Sequence, residues 1–331
     1  MIDLPLLSAL FVAFALTFYV LLDGFDLGVG ALLLLQPDEA VRDRMVASIT
    51  PTWDGNETWL IMAGVGLLAG FPIAYGILLP AFYLPLIIML LALGLRGVSF
   101  EFRVQQVAGR RRWDVAFGLG SILAALMQGL IVGGLIQGVA VNGEAFAGSV
   151  GDVFSPFPLL CAVALVAGYI VLGAGWLYMK GTGEMHAFAQ GALRFALPIT
   201  VFFAAAAWIL APFVQPAITE AWKERPVAFA FPDMVFLLAA GFCWMRVGRG
   251  ADGAPFFAAI VMMLSGIGGL ALVVFPDVVP FRLTLWQAAS ATESHIFLLI
   301  GAVVVTPVVL AYSAFAYYVF RGRTPETGWD T

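Results

Sequence analysis

Apolar runs of about 20 residues recur along the whole of this sequence. A helix needs about that length to cross the hydrocarbon core of a bilayer, because each residue adds about 1.5 Å. The composition agrees, since 62% of the 331 residues are hydrophobic and only 11% are charged. In soluble domains about a quarter of the residues are charged, so a soluble enzyme or nucleic-acid binder is excluded. The sequence predicts an all-α integral membrane protein.

Nine of these runs are long enough to span the membrane. Their predicted limits are residues 4–35, 45–71, 75–97, 114–140, 156–180, 193–212, 227–246, 255–276 and 293–320. The second and third runs are divided only by the Pro72 and Gly76 signals, because the segment between them carries no charge.

A faint internal repeat groups these spans. Tyr19 and Tyr169 match at an offset that also relates a few other pairs. We therefore predict one membrane domain, with four-helix units at 1–140 and 156–276, a peripheral ninth helix at 293–320 and a tail at 321–331.

Basic residues predict the orientation of the spans. With the N-terminus outside, Lys223, Arg225 and Arg282 fall on the outer side, and the other 13 of the 16 Lys and Arg fall on the inner side. Loops on the cytoplasmic side are enriched in Lys and Arg, so we predict a periplasmic N-terminus and a cytoplasmic C-terminus. The run from Arg110 to Arg112 fits the same rule, and no nucleic-acid partner is expected.

Two pairs of acids lie inside the first two spans. Asp23 and Asp26, and then Asp54 and Glu57, are each three residues apart, which places each pair on one helix face. A carboxylate in hydrocarbon is costly, so such residues face a bundle interior or a wet cavity and are functional by default. No acid occupies the matching positions of the second half, so we expect ionisable chemistry in the first half alone.

The depths of these acids can be compared. Antiparallel packing of the first two spans would bring Asp26 level with Asp54, and Asp23 level with Glu57. Four carboxylates at matched depth would repel one another, so we expect them not all to be charged. Such a cluster suits a proton relay. The alternative, in which an acid only caps a helix end or binds backbone amides near Gly55, stays open for each residue.

Two further positions complete the candidate set. Glu101 follows the third span near its inner mouth, where a proton path would begin, or else it pairs with Arg96 or Arg103 at the interface. The only histidines, His186 and His295, lie far apart in the sequence, so no haem pair and no metal site are expected in this chain.

These residues resemble subunit II of the cytochrome bd-type quinol oxidases, including the cyanide-insensitive branch. The matching segments are residues 23–30 (DGFDLGVG), 53–59 (WDGNETW), 96–103 (RGVSFEFR), 183–186 (GEMH) and 275–286. They follow the order of the family over nearly the whole chain. The position of Glu101 also holds Asp in this family, which keeps an acid in place.

The resemblance implies a fold and a role. The fold is two four-helix bundles plus one helix. The role is that of a subunit without haem, inactive alone, in the bacterial inner membrane. Its partner, subunit I, would carry two b-type haems and one d-type haem, oxidise quinol and reduce oxygen to water with protons from the cytoplasm. Small accessory transmembrane subunits, membrane lipid and a structural quinone in this subunit are further implied partners.

The resemblance also implies roles for particular residues. The proton path towards the oxygen-reducing haem would run through Asp23, Asp54 and Glu101, and no catalytic residue is expected in this chain. Asp26, Glu57 and Arg96 are second-rank candidates for the same path. Two rival functions remain: a secondary transporter that uses the acids as ion sites, and a pure assembly scaffold.

Overall fold

The computed structural model describes residues 3–105, 109–250 and 252–324. They form twelve α-helices, with one 3₁₀ turn at Asp152–Phe154. The helices are α1 Leu4–Leu33, α2 Glu39–Ala47, α3 Trp53–Gly70, α4 Pro72–Ala81, α5 Tyr83–Gln105, α6 Arg110–Gln137, α7 Pro156–Lys180, α8 Gly183–Val214, α9 Pro216–Glu224, α10 Pro226–Arg246, α11 Ala254–Val274 and α12 Thr292–Val319. Two short hairpins, Val141–Asn142 with Ala145–Phe146 and Asp277–Val279 with Leu283–Thr284, cover one end of the bundle.

Eight helices of the described chain are long and apolar enough to cross a membrane: α1, α5, α6, α7, α8, α10, α11 and α12. All eight overlap a predicted span, so the multi-pass membrane class is confirmed. The second predicted span is different. Its helix, α3, has 18 residues and begins with the polar segment that contains Asp54, Asn56 and Glu57. This segment lowers the hydropathy of α3, and the count of nine spans therefore stays a prediction.

The predicted limits of the second and third spans are wrong. Residues 45–47 end the short helix α2, and α3 begins only at Trp53, because Pro51 interrupts the chain between them. The segment 72–81 is a separate helix, α4, which packs beneath both hairpins and turns at Phe82 into α5. Residues 71–82 carry no charge, so the sequence did not indicate that the chain breaks again at Phe82, between α4 and α5.

Two connections also differ from the prediction. His186, expected in a loop, lies in the first turn of α8, which begins ten residues earlier than predicted. The connection between the predicted spans 193–212 and 227–246 contains the helix α9. Thr182 and Gln215, the residues that precede these helices, are both extended, so each helix starts cleanly at a sharp change in chain direction.

The core is built where α1, α6 and α7 meet. One cluster of buried apolar residues runs through helices of both predicted four-helix units. The close approach of α1 to α7 depends on Gly28, because a Cβ there would lie 1.8 Å from the carbonyl oxygen of Tyr169. Gly24 faces the Tyr169 ring in the same way. The two glycines, four residues apart on one face of α1, therefore let α7 pack closely against it.

Ion pairs join three helices at the end of the bundle that is predicted to be cytoplasmic. Asp114 in α6 is fully buried and accepts from Arg42 Nε at 2.7 Å and from Arg103 Nε at 2.5 Å. Arg103 also reaches Asp43, which binds Arg110 at 3.2 Å. The two oxygens of Asp114 thus each have a charged partner, and α2, α5 and α6 are held in register.

The ninth predicted span, α12, packs against α1 and α3. Its N-terminal turn is fixed by His295, whose Nδ1 lies 2.7 Å from Ser8 Oγ. Its C-terminal end is fixed by Lys180, which donates to the Phe320 carbonyl at 2.7 Å. Much of the remaining surface of α12 is exposed, with Phe297 at 81% and Val303 at 72%. The inner face of α12 contributes Tyr317 to the candidate site in the next subsection.

Candidate functional site

A buried arginine joins two of the predicted acids. Arg96 of α5 and Asp23 of α1 are both fully buried, and Arg96 Nη2 lies 2.5 Å from Asp23 Oδ1. The same nitrogen lies 3.1 Å from Oε2 of Glu57 in α3, whose side chain is 29% exposed. The Trp53 ring covers the guanidinium at 5.9 Å. Asp23 and Glu57 therefore share one cation, at the matched depth that their positions in antiparallel helices predict.

Asp26 contacts a neutral residue of α3. It is fully buried, and its Oδ2 accepts from Asn56 Nδ2 at 2.7 Å. Tyr317 of α12 donates to Asn56 Oδ1 at 2.9 Å. Asp26 therefore contacts Asn56 and not Asp54, and the equal depth of Asp26 and Asp54 stays a prediction. Asp54 and Asn56 are two residues apart, which turns their side chains about 200° from each other around the helix.

A second polar chain continues from Asp23 into the core. The hydroxyl of Tyr19, one turn along α1, lies beside Asp23. Gln128 Nε2 of α6 donates to this hydroxyl at 2.8 Å, and Tyr169 of α7 donates to Gln128 Oε1 at 2.7 Å. The two tyrosines that the faint repeat relates thus bind opposite ends of one amide.

The charges of this cluster do not balance when every group is ionised. Arg96 is the one cation among the groups that face Asp23, Asp26 and Glu57 in the described part of the chain. Net neutrality requires two protons on the three carboxyls. Within the same residues, Asp23 Oδ2, Asp26 Oδ1 and Arg96 Nε are buried without a hydrogen bond. Burying unbalanced charge is costly, so the arrangement favours gain and release of protons at these carboxyls.

The remaining candidates lie at the surface of this chain. Asp54 is in the first turn of α3 and is exposed, and Glu101 is exposed near the end of α5. The alternative prediction, that Glu101 pairs with Arg96 or Arg103, is wrong. Arg96 pairs with Asp23, and Arg103 pairs with Asp114. The structure therefore separates a buried group from two exposed acids that face away from the chain's own core.

Sequence reasoning missed several polar residues. Asn56 stands within the recognised segment between Asp54 and Glu57, so its polar character in an apolar span was an available signal. Tyr317 had no such signal, because a tyrosine near the end of a span is ordinary. Asp233, which is half-buried within α10, was also missed as an acid inside a predicted span, and the expectation of ionisable chemistry in the first half alone stays a prediction.

The histidines do not fit a shared haem site in this chain. His295 lies at the start of α12 and is bonded to Ser8. His186 lies in the first turn of α8, beside the Tyr178 ring, with its Nδ1 2.9 Å from the Tyr178 carbonyl oxygen. A pair of axial ligands must face one iron, so these residues do not supply it.

The helices and the buried acids define a polytopic membrane protein with an ionisable centre in its interior. The family model for cytochrome bd terminal oxidase subunit II matches residues 4–320. The chain belongs to this family, and it is a subunit of a bd-type quinol oxidase, a haem-containing oxidoreductase complex in which subunit I is its partner.

Individual relatives agree with this assignment. The chain is 30% identical to cytochrome bd-I ubiquinol oxidase subunit 2 of Escherichia coli (strain K12), over 96% of this chain and 93% of that one. It is 28% identical to cytochrome bd ubiquinol oxidase subunit 2 of Bacillus subtilis (strain 168), over 96% and 94%. The bd oxidase structure from Geobacillus thermodenitrificans has the same fold, with a TM-score of 0.78 and 16% identity over 97% and 99% of the chains. The transporter and scaffold alternatives are not favoured.

Proposed function

We propose that this subunit conducts protons from the cytoplasmic face of the bacterial inner membrane towards the haems of subunit I. The observation that carries the proposal is that the fully buried Asp23 and Asp26 and the partly exposed Glu57 are grouped around a single arginine. As the resemblance to the family implies, we assign two b-type haems and one d-type haem to subunit I. The separation of His186 from His295 in this chain is compatible with that assignment.

The contacts support an order for the path. Glu101 and Asp54 are the exposed acids where protons enter, near the end that the positive charges assign to the inside. Glu57 is partly exposed and touches Arg96, which in turn touches Asp23. Protons would pass from the exposed acids to Glu57 and then to Asp23.

The exposure of Asp54 supports the placement of subunit I against the face of α3 that carries this residue. A carboxylate on a membrane helix does not face lipid at low cost. Asp54 heads a stripe of α3 that continues through Ile61 and Val65, which are 66% and 56% exposed. On α5, Leu91 is 69% exposed. We propose that subunit I covers this face and converts the exposed acid into a buried step of the path.

The nine-span arrangement belongs to the same proposal. In it, α3 is the ninth crossing, the N-terminus is periplasmic and the C-terminus is cytoplasmic. The two four-helix units are 1–140 and 156–276, followed by the helix at 293–320 and the tail at 321–331. The alternation of the basic residues between loops supports this orientation. The exposed apolar surface of α8, where Phe213 is 81% exposed, leaves area for lipid and small accessory subunits.

We expect Asp54→Asn to lower oxygen-reducing turnover of the purified complex about 100-fold, the lower end of what a positioned acid-base group contributes. The amide keeps the size of the side chain but cannot exchange a proton. Turnover and oxygen-linked proton uptake are the measurements, normalised to haem content.

Two control variants accompany Asp54→Asn. Asp54→Glu keeps an acid at this position and should retain much of the activity. Glu184 is also an exposed acid in the first turn of a membrane helix, but it lies in the second half, so Glu184→Gln should behave as wild type. Unchanged turnover and proton uptake in Asp54→Asn would show that this residue is not part of the path.

A further inference from the structure

A groove of about 460 Å³ opens between α1, α7, α11 and α12, and Arg96 does not line it. Its walls are apolar and include Leu22, Phe25, Trp176, Phe256 and Ile260. The volume lies in the range of sites that hold small molecules. The groove is at the end of the bundle where α7 and α12 finish, which is the end predicted to be cytoplasmic.

Three aromatic rings form a continuous floor. The Phe25 and Trp176 rings are stacked with centroids 4.4 Å apart, and Phe256 meets Trp176 edge-on at 5.3 Å. The polar atoms of this wall already have partners. Trp176 Nε1 donates to Ser48 Oγ at 3.3 Å, and the Tyr317 hydroxyl donates to Asn56. The floor therefore favours a hydrocarbon chain over a ring that needs hydrogen-bond donors.

The rim of the groove is cationic. Its basic residues are Lys180, Arg321 and Arg323. Among the described residues that line the groove, none is acidic. Lys180 is held in place by the Phe320 carbonyl and lies 4.9 Å from the Trp176 ring. The Arg321 guanidinium lies 4.0 Å from the Tyr318 ring. These contacts fix positive charge at the mouth of the apolar groove.

We propose that this groove binds an anionic phospholipid, with one acyl chain along the aromatic floor and the phosphate at the cationic rim. Basic pockets between membrane helices on the cytoplasmic side recognise such head groups. The lipid would fill the space between α1, the helix that carries Asp23, and the second half of the chain. The proposal depends on the membrane class of the protein and is independent of the proton path.

The test uses the purified oxidase complex in detergent, with dioleoyl phosphatidylglycerol and dioleoyl phosphatidylcholine as probes. Native mass spectrometry counts the bound lipid during titration. We expect wild type to prefer the anionic lipid. The double variant Arg321→Gln and Arg323→Gln should bind it about 30-fold more weakly and lose the preference. Each basic residue near an anionic lipid contributes about 1 kcal/mol to binding, and about 1.4 kcal/mol corresponds to a tenfold change in affinity.

Two further variants distinguish binding of the lipid head group from binding of its acyl chain. Arg249, exposed on the loop after α10, gives the matched control Arg249→Gln, which should bind as wild type. Ile260→Trp fills the groove and should lower binding while it leaves the cationic rim intact. Equal binding of the two lipids by wild type would overturn the proposal. So would an unchanged preference in the double arginine variant, or extraction of a quinone in place of phospholipid from the groove.

Discussion

Replacing Arg96 by glutamine is expected to prevent stable assembly of the oxidase. The change leaves the buried Asp23 and Asp26, together with Glu57, without their shared cation. Breaking a buried ion pair by removal of one partner costs about 3–5 kcal/mol. That is a large fraction of the free energy that keeps a typical domain folded, about 5–15 kcal/mol. The measurements are the yield of complex with bound haem and its thermal unfolding temperature.

Two variants test the electrostatic origin of this loss. Arg96→Lys keeps the charge but offers a single nitrogen on a flexible stem, so its stability should lie between wild type and Arg96→Gln. The double variant Arg96→Gln and Asp23→Asn removes both members of the closest pair and should recover part of the stability. A single Arg96→Gln variant that assembles and unfolds like wild type would contradict the account of this cluster.

The second large effect is expected at Gly28, where even alanine should destabilise the subunit. Its Cβ would lie 1.8 Å from the Tyr169 carbonyl oxygen and 2.9 Å from the Gly173 nitrogen. Both are backbone atoms, so α1 and α7 must separate to make room. Overpacking of a well-packed core typically costs about 1–3 kcal/mol, and the backbone contact places this site at or above the upper end.

A glycine on another helix provides the control. Apart from the backbone of its own helix, no atom of the described residues lies within 4 Å of a Cβ added to Gly64 of α3, so Gly64→Ala meets no obstacle there. Alanine in an open helix position should leave the unfolding temperature equal or slightly higher. If Gly28→Ala unfolds at the same temperature as Gly64→Ala, the close approach of α1 to α7 is not what the structure describes.

The fold was largely predictable from the pattern of apolar runs. Eight of the long helices follow directly from it, because crossing a bilayer demands both length and low polarity. The breaks around α2, α3 and α4 were not predictable in the same way. Pro51 and Pro72 were visible in the sequence, but no charged residue marks the point after Ala81 where α4 ends and α5 begins almost at once.

The candidate site was predictable in its residue types and less so in its pairings. Asp23, Asp26 and Glu57 were recognisable because carboxylates are rare inside membrane spans. Their partners, Arg96, Asn56 and the distant Tyr317, depend on which helix faces meet. The rotation of α3 about its axis decides which of its residues face α1. That rotation turns Asn56 towards α1 and Asp54 away from it, which the depth of the residues alone could not reveal.

The central claim is that the buried carboxylates of the first half carry protons to the oxygen-reducing haem. Its most direct test is proton uptake from the cytoplasmic side during oxygen reduction by the complex in proteoliposomes, followed with a pH indicator and normalised to haem. We predict that Asp23→Asn slows this uptake about 100-fold. Asp233→Asn, in a membrane helix of the second half, should match wild type. Wild-type uptake by a fully assembled Asp23→Asn complex would contradict the claim.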